Sequence, residues 1–444
     1  MRLRQLITLL FCTVSVQAIY GQQKQILIEN VKLIDYSSQM LTPSKYVLIN
    51  GNTIQTISDL PINARGNDLI KIDGKGKTLM PGLIDAHVHL VFGALTMPQM
   101  MKNDLSEEFL INTVGQSAQQ MLMRGFTSVR DVGGPIFPLK AAIDKGKLLG
   151  PRIWPSGATI SQTAGHGDFR TPEEKSRRFF GIVSRAERYG ATFIADGRDE
   201  ILTAVRENLR FGASQIKLMA GGGTSSAYDP VDVTQYTLDE MKAAVEAAED
   251  WGTYVTVHAY TPRAIRRAIE AGVKCIEHGQ LLDEETLQLI AQKNIWLSLQ
   301  NLIEDTPDMD PQRRIKRKPV IEGQEKVWPM AKKIGVKLAW GTDFLFEPDL
   351  NKLQNEFILR LQKWFTNAEI IKMVTQDNGE LLQLSGLRSP YPGKLGTIEE
   401  GALADLLLVD GDPLKNLKLL ADPDKNFLLI IKDGQIYKNN LQKR

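Results

Sequence analysis

The chain is poor in cysteine, in histidine and in net charge. Two cysteines occur in 444 residues, Cys12 and Cys275. A disulfide framework is therefore not what holds a chain of this length together, and a hydrophobic core must do so. Lys and Arg total 54 against 52 Asp and Glu, for a formal net charge of +2. That balance speaks against a nucleic-acid footprint, which needs clustered positive charge. The run Arg313–Lys318 (RRIKRK) is basic but short, and reads as a solvated loop or helix face. The apolar run Leu6–Val16 falls well short of the ~20 residues of a membrane-spanning helix.

That run has another reading. Arg2 and Arg4 precede it, and small residues follow in Gln17–Gly21, which is the layout of an export signal over 1–21. Its removal near Ala18 or Gly21 predicts a periplasmic or secreted protein with no membrane span. A buried or anchoring N-terminal helix is the alternative. Cleavage removes Cys12, and Cys275 is then a lone small core residue.

The length suits a large domain with a smaller companion. Residues 22–80 and 385–444 carry short β-type runs punctuated by Asn-Gly and Asp-Gly turns. Neither segment is large enough to fold alone, so the two are expected to pair into one small β domain. Residues 81–384 alternate apolar strands with amphipathic helices. The strands predicted are Leu83–Leu90, Thr127–Val132, Arg152–Ile160, Gln215–Ala220, Thr253–Ala259, Cys275–Gln280, Trp296–Gln300 and Lys337–Thr342. Eight such units predict an α/β fold, a (β/α)8 TIM barrel, with an open doubly wound sheet as the alternative.

Five histidines are present, and their placement carries the chemistry. His87 and His89 lie in LIDAHVHL, two apart on a strand, so both rings leave one face. His258 and His278 sit near the ends of two later strands. Lys217 lies on the fourth strand and Asp343 closes the last. Each alone reads as a hydrogen-bonded core residue. Together, six polar groups fall at the C-terminal strand ends where barrel active sites sit, and burial without partners is costly. A metal centre explains them jointly. Nitrogen and carboxylate donors suit Zn2+ best, with Mn, Fe or Co also fitting. An ammonium beside a cation is repelled, so Lys217 is expected to capture carbon dioxide as a carbamate able to bridge two metals. Its alternative is a cation for an anionic substrate.

At these residues the sequence resembles the amidohydrolase superfamily, binuclear subtype. PGLIDAHVHL and LGTIEEGALADLLLVDGDPL carry the resemblance at its two ends. SQTAGHGD, IKLMAGGG, VHAYTPRAIRRAIEAGVKCIEHG and WGTD are most similar to the imidazolonepropionase-like branch, which includes Xaa-Pro and Xaa-Arg dipeptidases and ochratoxin-hydrolysing amidases. The resemblance implies one divalent ion on His87, His89 and Asp343, a second on His258 and His278, and carboxylated Lys217 between them. It implies a water activated to hydroxide near neutral pH, with Asp343 as general base and then acid. It also favours a homo-oligomer. The expected substrate is a small N-acyl amino acid, above all a dipeptide. Aryl amides of the ochratoxin type and cyclic amides are the alternatives, and a non-catalytic scaffold is the reading outside the enzymes.

Two loop residues complete the expectation. His166 is positioned to stabilise developing negative charge or bind a substrate carboxylate, and Tyr228 to donate to the oxyanion or a terminal carboxylate. Both have a structural alternative. Arg170, Arg198 and Gln300 are further candidates for the pocket. Gly221–Gly223 lacks the Gly-Lys-Ser/Thr spacing of a phosphate loop and reads as a flexible substrate loop.

Overall fold

This computed structural model describes residues 24–441, apart from 67, 101, 103–105, 303–304 and 306–308. The expected export segment lies outside the described residues. Within them, no helix is long and apolar enough to cross a membrane.

The central strands are buried on both faces, as parallel strands covered by helices must be, even where polar residues such as Thr127, Ser128, Arg130 and Asp131 interrupt the apolar run. Leu83–Val88 pairs in parallel with Phe126–Asp131, which pairs with Arg152–Pro155. A second parallel run links Thr159–Ser161, Ile216–Met219, Val255–Ala259, Cys275–His278, Trp296–Gln300 and Lys337–Gly341. The last strand returns to the first. Asp343 donates its amide to the His87 carbonyl at 2.9 Å. The backbones meet so closely that a Cβ on Gly341 would lie 2.4 Å from the His87 amide nitrogen. The result is the eight-staved barrel.

The third stave departs from expectation. A continuous Arg152–Ile160 strand was predicted, but it breaks between Pro155 and Thr159. Gly157 sits there at φ 77°, a left-handed conformation that ends a strand. A further strand, Thr192–Ile194, pairs in parallel with Thr159–Ser161. Its three residues are too few to show a period.

Capping fixes the helices behind the strands. Thr237 and Glu240 form a capping box on Leu238–Asp250, and Asp283 caps Glu284–Gln292. Pro262–Ala271 ends on Gly272 in the left-handed region.

The small domain is a nine-stranded sheet drawn from both ends of the chain. Its seam joins Thr78–Pro81 to Leu406–Val409 in antiparallel register. Alternation divides its faces. Leu407, Val409 and Ile430 join the barrel's core, while Leu406, Leu408, Leu429 and Ile431 pack with Ile26, Ile28 and Val47. A Cβ on Gly125 would lie 2.4 Å from the Phe427 ring, so the sheet abuts the barrel where a strand begins.

Candidate metal centre

The strand ends deliver the predicted side chains to one place. His87 Nε2 lies 3.2 Å from Asp343 Oδ1, and His89 Nε2 lies 3.4 Å from the same oxygen. His278 Nδ1 is 4.0 Å from Asp343 Oδ2. Ligand atoms of His87, His278 and Asp343 all fall within 4.8 Å of one another. The His258 ring centroid is 4.4 Å from that of His278. Lys217, His89, His258, His278 and Asp343 line one cavity. Register explains part of this. Met219 pairs with His258 and Ala259 with His278, so neighbouring strands reach the rim together.

The second nitrogens of the rings are anchored. His87 Nδ1 meets Glu277 Oε2 at 2.8 Å, and His89 Nδ1 meets the Gly133 carbonyl at 2.9 Å. His258 Nε2 meets the Gly222 carbonyl at 3.1 Å. Such bonds fix the tautomer and leave the opposite nitrogen as a lone pair. Glu277 is itself held by Arg130 Nη2 at 2.6 Å and by Thr256.

Electrostatics favour the neutral form of three of the four rings. Burial holds His89 below its ordinary pKa and His258 and His278 well below theirs. Burial also pushes His87 down, but Asp343 and Glu277 outweigh it and raise the ring overall. Burial lowers Lys217, so its ammonium is disfavoured. Burial raises Asp343, yet His87, His89 and His278 hold it well below the carboxylate range.

Two observations test the fit to a cation. His87 Nε2 is buried and makes no hydrogen bond, although Asp343 is near. Lys217 is 1% exposed and has no hydrogen bond or ion pair among the described residues. A buried nitrogen without a partner costs roughly 1–3 kcal/mol, and a cation at the cluster removes that cost for His87. The donor set of imidazoles and carboxylate fits a divalent ion. His278 and Asp343 also hold positive φ, 78° and 53°, strain of the kind that gathers at functional sites.

The loop residues divide. His166 lines the cavity, stacked on His258 at 3.9 Å between centroids. Its Nδ1 meets Ser226 Oγ at 2.8 Å. Tyr228 is a correction. It is 42% exposed, does not line the cavity, and spends its hydroxyl on the Arg170 carbonyl at 2.8 Å. Tyr260 stands in the cavity instead, its ring 5.1 Å from His258. Arg170 forks onto Asp168, and Arg198 pairs with Glu246 on an exposed helix face, so neither reaches the pocket. Gln300 lies beneath the site with Nε2 3.0 Å from His87 Nδ1.

Gly221–Gly223 is buried, not a loose loop. A Cβ on Gly223 would lie 1.9 Å from the His166 ring, and one on Gly222 would lie 1.7 Å from the Pro230 carbonyl oxygen. The glycines let the backbone pass under His166. The basic run is corrected as well. It lies on the helix Pro311–Ile334, and Arg313 and Arg317 line the cavity. Their i, i+4 spacing was the available signal.

The fold and this cluster define a metal-type hydrolase barrel, and the family follows. The Amidohydrolase family profile matches residues 78–437, and the chain belongs to that family. It is 32% identical over 376 residues to ochratoxinase of Aspergillus niger, covering 81% of this chain and 75% of that one. A crystal structure of an amidohydrolase superposes with TM-score 0.84 at 37% identity, over 94% of this chain and all (100%) of the other. A prolidase crystallised with N-methylphosphonate-L-proline superposes with TM-score 0.84 at 32% identity, with 94% and 100% covered. The protein is a hydrolase acting on amide or peptide bonds.

Proposed function

We propose that the chain is a zinc-dependent amidohydrolase that cleaves small N-acyl amino acids, with dipeptides as the leading substrates. The orphaned His87 Nε2 facing Asp343 is the observation that carries this reading. His87, His89 and Asp343 would hold one ion, and His258 and His278 the second. Lys217, as a carbamate, would lie between them, since burial favours its uncharged amine. When bound, the ions supply the Lewis acidity that brings water toward a neutral pKa and polarises a carbonyl.

The chain's own groups do the rest. Asp343 would accept a proton at a carboxylate oxygen and return it to the departing amine. His166, braced by Ser226 and stacked on His258, orients the substrate carbonyl. Glu277 keeps the His87 ring in place from below. Similarity to a prolidase supports the dipeptide reading. Similarity to ochratoxinase, with Phe92, Phe169 and Phe346 in the cavity wall, favours an aryl amide as the second reading. The export layout of residues 1–21 supports a periplasmic or secreted site of action.

A dipeptide and aryl-amide panel on zinc-loaded protein tests this, with metal stoichiometry measured alongside. Cleavage with about two ions per chain is expected. Loaded protein that cleaves no amide in the panel would refute it.

A further inference from the structure

The loop after the strand Ile216–Met219 is open to solvent at Ser225, Ala227, Tyr228 and Pro230, yet Asp229 within it is 2% exposed. A buried carboxylate in an exposed loop needs partners. Asp229 Oδ2 accepts the Gly223 amide at 2.7 Å and Gln235 Nε2 at 3.4 Å. The same oxygen lies 3.4 Å from His166 Nδ1, while Asp229 Oδ1 is buried with no hydrogen bond among the described residues. Burial pushes the carboxyl up, but His166, Ser226 and the Lys316 ammonium outweigh it and hold it below its ordinary value.

These contacts converge on one ring. Ser226 Oγ meets His166 Nδ1 at 2.8 Å, and Gln235 Oε1 accepts the His166 amide at 3.0 Å. The Ser226 carbonyl accepts in turn from Lys316 Nζ at 2.8 Å, on the helix Pro311–Ile334. His166 Nε2 makes no hydrogen bond among the described residues. The ring lines the cavity of the metal ligands, stacked on His258 at 3.9 Å between centroids. Gly223 permits the approach, since a Cβ there would lie 1.9 Å from His166 Nδ1. The anchor of Asp229 is also next in sequence to Gly222, whose carbonyl meets His258 Nε2 at 3.1 Å.

We propose that Asp229, with Ser226, is a positioning residue that fixes the His166 ring, keeping Nδ1 on the loop and leaving Nε2 to the cavity. A ring turned by half a revolution about its Cβ–Cγ bond sets a C–H edge against the carboxylate. It then loses the Ser226 bond and the attraction of Asp229 together. A hydrogen bond to an ionised acceptor is stronger than a neutral pair, so the carboxylate holds the ring more firmly than Ser226 alone. Asp229 does not line the cavity, so it acts through His166. That Nε2 serves a substrate rests on the amide-hydrolase reading of the metal centre; the orientation of the ring does not.

Two readouts on zinc-loaded protein test this. The first is NMR of the histidine ring nitrogens, with the His166 signals assigned by their loss in His166→Ala. The parent protein should show one set of His166 signals. Asp229→Asn should shift or split that set while the metal bound per chain stays at the parental value. The second is a double-mutant cycle in kcat/KM on a cleaved amide. Asp229→Asn should cost about tenfold or more, the scale of a lost histidine brace, and nothing further in the His166→Ala background. Where Asp229→Asn fails to fold, Ser226→Ala on the half-buried serine reads the same two quantities. Unmoved His166 signals, or losses that add in the double variant, overturn the inference. So does lost metal in Asp229→Asn, which would route its effect through Gly222 and His258 instead. Asp229-dependent His166 signals in a protein that cleaves no amide would sink the hydrolase reading alone. Intact cleavage with unmoved signals would sink the positioning role alone.

Discussion

The two ends of the barrel bury charge in opposite ways. Where the small sheet meets the barrel, Arg152 is 5% exposed, and its Nε donates to Asp405 Oδ2 at 3.0 Å and its Nη2 to Asp433 Oδ1 at 2.6 Å. Lys432 Nζ donates to the Gly150 carbonyl at 2.8 Å. Asp405 Oδ1 accepts the Asp433 amide at 2.7 Å. These buried charges have partners. At the other end His87 Nε2 makes no hydrogen bond, and Lys217 no hydrogen bond or ion pair, among the described residues. The Arg130–Glu277 pair lies between the two regimes, satisfied itself and presenting Glu277 to His87. Burial of charge therefore does not mark the site. Among titratable side chains unspent valency does: the buried atoms without a hydrogen bond among the described residues belong to His87, Asp229 and Arg313, while neutral atoms such as Trp154 Nε1 and Thr127 Oγ1 go unpaired elsewhere.

The sharpest way to break this comparison is at Asp343. Asp343→Asn removes the proton acceptor while His87, His89, His258 and His278 remain. Turnover on a cleaved dipeptide should fall by about 10²–10⁴-fold, with some metal still bound. Near-parental kcat in that variant removes Asp343 from acid–base work and leaves it a structural carboxylate like Asp405.

At the junction the same logic predicts lost stability instead of lost activity. Arg152→Met leaves Asp405 buried beside an apolar side chain. Urea unfolding should show a loss of about 3–5 kcal/mol, with zinc stoichiometry unchanged. A variant that keeps its stability but loses metal would erase the distinction between the ends.

Lys217→Met turns one substitution into two readouts. In metal-free protein it replaces an unpartnered buried amine by an apolar chain of similar reach, and stability should rise by about 1–3 kcal/mol. In zinc-supplemented protein the metal bound per chain should drop. A destabilised metal-free variant shows instead that Lys217 has a structural partner.

Much of this was legible from sequence, for reasons that differ by element. The strand histidines and Asp343 were readable because period-two alternation and apolar flanks fix which end a strand residue occupies. The seam of the two terminal β segments followed from turn signals and small size. Thr192–Ile194 was hidden because its pairing with Thr159–Ser161 is tertiary and its length carries no pattern. Tyr228 was misplaced because a loop has no period to aim a side chain, and a hydrogen bond to Arg170 turned it out. Arg313 and Arg317 were missed because a basic run looks alike whether solvated or turned inward; only the helix that carries it decides which face is buried.

The smallest expected effect concerns pH at the junction. Burial pushes Asp433 up, but Arg152 outweighs it and holds the carboxyl below its usual value of 3.8. A folded pKa below the unfolded one means stability that is fully present above the unfolded value and lost as pH falls through the folded value. Asp433→Asn removes this increment and suits the backbone, since asparagine tolerates the φ of 54° found there. Asp433 is 40% exposed, so solvent screens the pair and the increment should not exceed about 1 kcal/mol. The gap in unfolding free energy between parent and variant should be constant near neutral pH and close below about pH 4. Added salt should narrow it further at neutral pH. A gap that widens on acidification has the wrong sign for a paired carboxylate and would place Asp433 with the unspent groups of the opposite rim.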